Sequence, residues 1–344
     1  HSSASTEDKN TVARELYDLN MPLPDVGDIT RERVWMEIGI ISSYFSNTKR
    51  EGLLEKRLIE RITQLAGAHE AVVLPRPWHP FDGGLVSMND RNNCFFDVAV
   101  AMVYKIAYDI GGVVREIVAA CERQQVVSQN VQVAIALANL DEAARAAKAK
   151  GNVSMPPGHL QALRDALGVI YPDFARGTQE DAMEPVANLI TCVFEAAREV
   201  CVFPQDATLA IMCPTVITFS RSSCTKCDIV NIAMTQNVML STAAPPGVHS
   251  YSLTQAVHHA HAPNTVPCDE CRPRGTRTAH FMTLLVGDRV AVRTPKTDLT
   301  QKRHIKLKLL SRLRTDNVES VDTGPLGWSF HSGIVHIGDT HEHG

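Results

Sequence analysis

From Arg31 to Val200 apolar residues recur every three or four positions, and beyond Cys201 they gather into short alternating runs. The first pattern predicts amphipathic helices and the second predicts strands. Residues 1 to about 28 are polar and end in MPLPDVGD, which reads as an arm and a turn. Residues 31–47 and 51–65 predict two helices around SNTKREG, and a proline-rich segment closes this prologue near Pro80. A helix is expected to begin at Cys94, with Phe95, Val98, Ala99, Met102, Val103 and Ile106 along one buried stripe. Further helices are expected over 111–124, 130–151, 156–170 and about 179–200. The runs 215–220, 281–294, 304–310 and 333–337, separated by Gly, Pro and Asn, suit an antiparallel sheet. Helices first and strands later make an α+β chain.

Composition narrows the function classes. The 344 residues are 44% hydrophobic and 21% charged, an ordinary globular balance, and carry a formal charge of -4. That balance argues against a broad phosphate-facing surface, so nucleic acid is not expected as a partner. No apolar run reaches the roughly 18–20 residues of a membrane span, and no membrane partner is expected. The polar start lacks the apolar core of a secretory signal. Nine cysteines, an odd number in so large a chain, read as metal ligands and a reactive thiol in a reducing compartment. An intracellular site, cytoplasmic or nuclear, is therefore expected.

Two segments carry chemistry. Cys224-Thr-Lys-Cys227 and Cys268-Asp-Glu-Cys271 are paired CxxC motifs. A two-residue spacer lets both thiolates of a pair reach one ion, and two pairs complete a tetrahedral sulfur shell for a structural Zn2+. The competing readings are chance pairs or a redox dithiol. The second segment leads through Asn89 and Asn92 to Cys94. A cysteine at a helix start feels the positive end of the dipole, which favours thiolate, and amides there suit an oxyanion. Taken alone, a cysteine opening an apolar helix reads more simply as a buried structural residue.

The segment from Gly84-Leu85 to Asn92-Asn-Cys94-Phe95 resembles the cysteine motif of the ubiquitin-specific proteases. The resemblance continues in order along the chain. Gly177, Gln179, Asp181-Ala182 and Glu184 are similar to the family's next motif, and Ser252-Leu253 with Gln255-Ala256-Val257 to the leucine helix before the second cysteine pair. Phe281 to Val290 stands where the family has a core palm strand. Trp328, Phe330, Ser332-Gly333-Ile334-Val335-His336 and Gly338 follow the family's histidine motif.

This resemblance implies a papain-like cysteine protease with a helical thumb, an antiparallel-sheet palm and zinc-tied fingers over about 213–280. Residues 1–80 would form a polar arm and helical extension, and 81–344 a catalytic domain. Cys94 would be the nucleophile. Asn89, or Ser87 in its place, would help hold the oxyanion, beside Asn92; Asn89 lies five residues before the cysteine, as the family's residue does. His336 and Gly338 would line the substrate side, while the general-base histidine would lie past Gly344, with His341 and His343 as substitutes. The implied activity is thiol-dependent hydrolysis after the C-terminal glycine of ubiquitin or a ubiquitin-like protein, with a further protein partner for the N-terminal helices. Two alternatives stand beside it: an inactive scaffold that kept fold and zinc, and a processing protease that cuts polyprotein junctions after glycine.

Overall fold

The structure is a computed structural model. It describes residues 11, 13–18, 20–23, 25, 31–45, 52–71, 94–151, 154, 156–175, 182–205, 207–224, 226–227, 230–243, 250–268, 271, 275–286, 291–293, 297–298, 303–304 and 306–308. The described residues fall into two compact units. One combines those up to 71 with those from 214 to 308; the other runs from 94 to 213. Among the described residues no helix is long and apolar enough to cross a membrane.

The first unit opens with α1 (Arg31–Phe45) and α2 (Gly52–Ala71), close to the two helices that the periodicity predicts. Ile38, Ile41, Tyr44 and Phe45 of α1 and Leu54, Leu58, Ile62 and Leu65 of α2 are buried. Both helices pack on an antiparallel sheet in the order β2-β1-β6-β5. Its strands are β1 (Thr215–Cys224), β2 (Val230–Asn237), β5 (Asn264–Pro267) and β6 (Thr276–Val286). Phe45 meets Phe219 of β1 edge-on with ring centroids 5.4 Å apart, and Gln236 of β2 donates to Ser42 at 2.9 Å. The helical prologue and the sheet thus share one core.

Shorter strands complete this unit. β3 (Met239–Ser241) pairs in parallel with β7 (Ala291–Arg293), and β4 (Ser250–Ser252) with β10 (Lys306–Lys308); β8 (Thr297–Asp298) and β9 (Arg303–His304) pair antiparallel. The expected palm strand at Phe281 begins earlier, at Thr276, because its first half pairs with β1 from Arg277 onward. Residues 287–290 of that expected strand, and the run 333–337, lie outside the described residues.

The second unit is helical: α3 (Cys94–Ile106), α4 (Ile110–Gln124), α5 (Gln129–Ala149), α6 (Pro157–Ile170), the single turn α7 (Pro172–Ala175) and α8 (Met183–Glu199). Helix α8 packs against α3, α4 and α5 and buries Val186, Leu189, Ile190, Val193, Ala196 and Ala197. The stops and starts follow local chemistry. Asp109 caps α4 by accepting from the Gly112 amide at 3.0 Å, and Ser128 caps α5 by accepting from Val131 at 3.1 Å. The expected stripe on α3 holds at Phe95, Ala99, Val103 and Ile106, but Val98 is 38% exposed and Met102 half-buried. Phe96, Val100 and Tyr104 are buried instead, because α3 is covered on two flanks and its buried face is wider than a single stripe.

Buried charges fix both units. Glu37 of α1 accepts from Arg61 of α2 at 2.7 and 3.2 Å, from Tyr17 at 2.7 Å and from Arg33 at 3.1 Å; the Arg61 side chain is fully buried. In the helical unit, buried Asp141 of α5 accepts from Arg145 at 2.7 Å and from Arg115 of α4 at 3.1 Å. Gly111 leaves room for this cluster, since a Cβ there would sit 3.2 Å from Asp141 and from Arg145. Burial, and then the Asp141 carboxylate, push the Tyr104 hydroxyl of α3 well above its ordinary value.

Removing one member of a buried pair strands the other charge, so Glu37→Gln is expected to destabilise the sheet unit by about 3–5 kcal/mol in urea unfolding at pH 7. Burial raises the Glu37 carboxyl, but the hydrogen bonds from Arg61 and Tyr17 and the Arg61 charge outweigh it and hold it below its usual value. The unfolded chain therefore takes up this proton first. The stabilisation is complete above the unfolded value, about 4.3, and fades as pH falls through the folded one. The stability gap between parent and variant should accordingly narrow below about pH 4.

Candidate functional site

The paired cysteines converge at one end of the sheet. Cys224 is the last residue of β1, and Cys227 follows in the turn toward β2. Cys268 comes directly after β5, and Cys271 lies in the connection to β6. The ladder sets both connections side by side: Cys224 is opposite Arg277, and Pro267 is opposite Thr276. Two hairpin ends thus present two thiols each.

All four sulfurs lie within 4.8 Å of one another. The Sγ atoms of Cys224 and Cys271 are 3.5 Å apart, and those of Cys227 and Cys268 3.7 Å. These separations exceed the about 2.05 Å of a disulfide. They match the roughly 3.8 Å edge of a tetrahedron with metal–sulfur bonds of about 2.3 Å. Cys224 and Cys268 are buried, and Cys227 and Cys271 half-buried.

Three neighbours shape the cluster. The Lys226 amide points at Cys224 Sγ from 3.4 Å, and Arg277 Nε donates to Cys268 Sγ at 3.2 Å. Gly275, whose carbonyl accepts from the Cys268 amide at 2.8 Å, leaves the space that the sulfurs fill. A Cβ on it would lie 2.1 Å from Cys271 Sγ and 3.2 Å from Cys224 Sγ. The Lys226 and Cys227 amides pull the Cys224 thiol down, whereas its hydrogen bond with Cys224 is the largest effect pushing Cys271 up to about 12. One thiol therefore keeps a proton as long as only sulfur faces sulfur. A divalent cation makes four thiolates compatible, and the Arg277 guanidinium offsets part of the remaining negative charge. The donor set and spacing fit a closed structural Zn2+ site with no open position.

Neither Gly275 nor Arg277 stood out in the sequence. The Pro-Arg-Gly sequence ending at Gly275 was a signal for the first, and the alternation along β6 could have aimed the second toward the cluster.

Cys94 is the first residue of α3; its side chain lies outside the described residues. The turn that it opens is well anchored. Phe95 is buried and stacks edge-on with Phe96, with centroids 6.4 Å apart. The buried Arg164 of α6 lies over the Phe95 ring at 5.2 Å and donates from Nε to the Phe174 carbonyl of α7 at 2.8 Å. Asp97, one turn from Cys94, is also buried. Asn89, Asn92, His336 and Gly338, together with Ser87, His341 and His343, lie outside the described residues.

No family model and no curated protein matches the chain. Among solved structures, a chain of the SAGA DUB module of Ubp8, Sgf11, Sus1 and Sgf73 bound to monoubiquitin is similar. Its TM-score is 0.50 at 11% identity, with 79% of this chain and 62% of that one covered. The same module bound to ubiquitin aldehyde gives a TM-score of 0.48 at 13% identity, with 80% and 62% covered. The present chain thus spans 62% of the length of the chains that it matches. At such identity the likeness is one of fold, and it supports a ubiquitin-specific-protease-like fold of helices and antiparallel sheet.

Arg277→Met should weaken metal binding by about 10–100-fold, since it removes a partner of a ligating sulfur while leaving all four thiols. Gly275→Ala should weaken it further by driving Cys271 off its place. A competition titration with a chelator measures both, and parent-like affinity in either variant would contradict the geometry above.

Proposed function

We propose that this protein is a thiol hydrolase that cleaves after the C-terminal glycine of ubiquitin or a ubiquitin-like protein, with Cys94 as nucleophile. The observation that carries the proposal is a cysteine heading an anchored helix in a fold similar to a chain of a ubiquitin-bound deubiquitinating module. In this reading the α3 dipole favours the thiolate. The thiolate attacks the glycyl carbonyl, and the Cys94 amide with Asn89 or Asn92 holds the oxyanion. The amine leaves, and water releases the acyl group. A histidine base is required for proton transfer to the amine. His341 and His343 are the candidates for it within this sequence, and the family pattern gives His336 and Gly338 to the substrate side.

The four-cysteine cluster has a different task in this proposal. Zn2+ on Cys224, Cys227, Cys268 and Cys271 ties two hairpin ends into a finger-like extension and takes no part in the chemistry. Domain assignment follows: residues 81–344 serve as the catalytic region, and the helices before it offer a protein partner a surface. Such a protein acts inside the cell.

A ubiquitin probe with a C-terminal electrophile is expected to label the 344-residue chain at Cys94, as read by peptide mass spectrometry, and Cys94→Ala should abolish the adduct. Removing the base histidine should slow hydrolysis of isopeptide-linked ubiquitin by typically about 10²–10⁴-fold. Binding of ubiquitin with no adduct at Cys94 would favour the scaffold reading. Cleavage of a glycine-ended peptide junction without ubiquitin binding would favour the processing protease.

A further inference from the structure

Arg164 is out of place by ordinary rules of burial. It is 3% exposed in the middle of α6, among helices whose facing positions are largely apolar. A leucine or methionine would fill the same volume without the cost of desolvating a guanidinium. Burial draws its pKa down, while the carboxylates of Asp165 and Asp97 draw it back.

Its contacts reach two other elements. Nε donates to the Phe174 carbonyl at 2.8 Å, at the end of α7. The guanidinium lies 5.2 Å from the centre of the Phe95 ring, a cation–π distance, and Phe95 is the residue after Cys94. Asp97, buried on the same first turn of α3, adds its charge to that turn's attraction for Arg164. One side chain on α6 thus holds the start of α3 and the end of α7, and the chain leaves α7 directly toward the Gly177–Glu184 segment.

We propose that Arg164 is a positioning residue for Cys94: its grip on Phe95 and on the Phe174 carbonyl sets where the first turn of α3 sits, and with it the nucleophile. The proposal rests on the reading of Cys94 as nucleophile given above. Attack geometry is steep in distance, and a misplacement of about 1 Å can cost about 100-fold. A planar fork that both stacks and donates holds such a turn better than an apolar plug, which leaves the helix free to roll.

The test uses the full chain with Arg164→Met, Arg164→Lys, Asp97→Asn and the double variant Arg164→Met/Asp97→Asn. Alkylation by chloroacetamide is followed site by site at a temperature well below each variant's unfolding midpoint. Exposed Cys201 and buried Cys192 of the same unit serve as internal reporters. Arg164→Met is expected to slow Cys94 alkylation about tenfold or more, with Cys201 unchanged and Cys192 still protected. Arg164→Lys, which keeps charge without the fork, should recover part of the rate. In the double variant the effects should be less than additive, because both changes act on one turn.

Parent-like Cys94 alkylation in folded Arg164→Met overturns the proposal. So does a loss at Cys94 that comes with unmasking of Cys192, since that reports general loosening. If Arg164→Met does not fold, Arg164→Lys decides: a fall of about threefold or more supports the proposal, and the parent rate overturns it. A parent chain that alkylates at Cys94 yet ignores the ubiquitin probe sinks the proposed function, while the variant-to-parent ratio still decides the role of Arg164.

Discussion

An antiparallel ladder that outruns its hydrophobic core is the constraint on which the sheet unit depends. β1 is buried from Thr215 to Ile217 and again at Phe219, where α1 and α2 cover it. From Ser220 to Ser223, and opposite them from Thr278 to Phe281, no described residue is fully buried. The ten paired positions of β1 and β6 nevertheless continue to Cys224. Backbone hydrogen bonds are worth little net when water competes for them, so a ladder of this kind frays unless its far end is tied. Four cysteines converge at that far end and supply what apolar side chains supply at the near one. The requirement for Gly275 follows, because no atom beyond a hydrogen fits where two hairpin ends close on four sulfurs.

The parts legible in the sequence were those where a single rule dominates. Helical periodicity gave α4, α5 and α6 to within a few residues, since amphipathic faces in a bundle leave a clear trace. The CxxC spacing gave the four-cysteine cluster directly. β2 and β5 left less of a trace. β5 is exposed along its whole length, so nothing in its composition separates it from a loop. β2 mixes Asn, Thr and Gln with its apolar residues, and its place is set by pairing with β1 rather than by its own pattern. Val98 misled because a helix covered on two flanks no longer sorts its residues into one stripe.

Charged residues were the least legible part of the chain. Glu37 and Arg61 sit at positions that a sequence assigns to a solvated face, yet they form the buried joint between α1 and α2. Asp141 plays the corresponding part between α4 and α5. A carboxylate is tolerable inside only when donors saturate it, and both are saturated by arginines from a neighbouring turn or helix. Such pairs add less net stability than their geometry suggests, but they reject alternative packings, since any slip of one helix leaves a bare charge. Arg164 belongs with them in chemistry, and its anchors include a backbone carbonyl and an aromatic ring.

The cysteines show how far surroundings, more than residue type, decide chemistry. Cys192 lies among the apolar side chains of α8, where burial first of all pushes its thiol up to about 11 and makes it a small hydrophobe. Cys213 is buried as well, with its sulfur near the Leu209 carbonyl. Cys224 shifts down chiefly because the Lys226 and Cys227 amides point at it, and Cys271 shifts up chiefly through its hydrogen bond with Cys224. Cys94 is the first residue of α3, where the free amides of a helix's first turn are an electrostatic influence that the backbone itself supplies. Such a position suits the nucleophile proposed for it above. The four-cysteine cluster and the apolar core suit that role less well, because a thiolate shared with a cation is a weaker nucleophile than a free one and a buried thiol holds its proton.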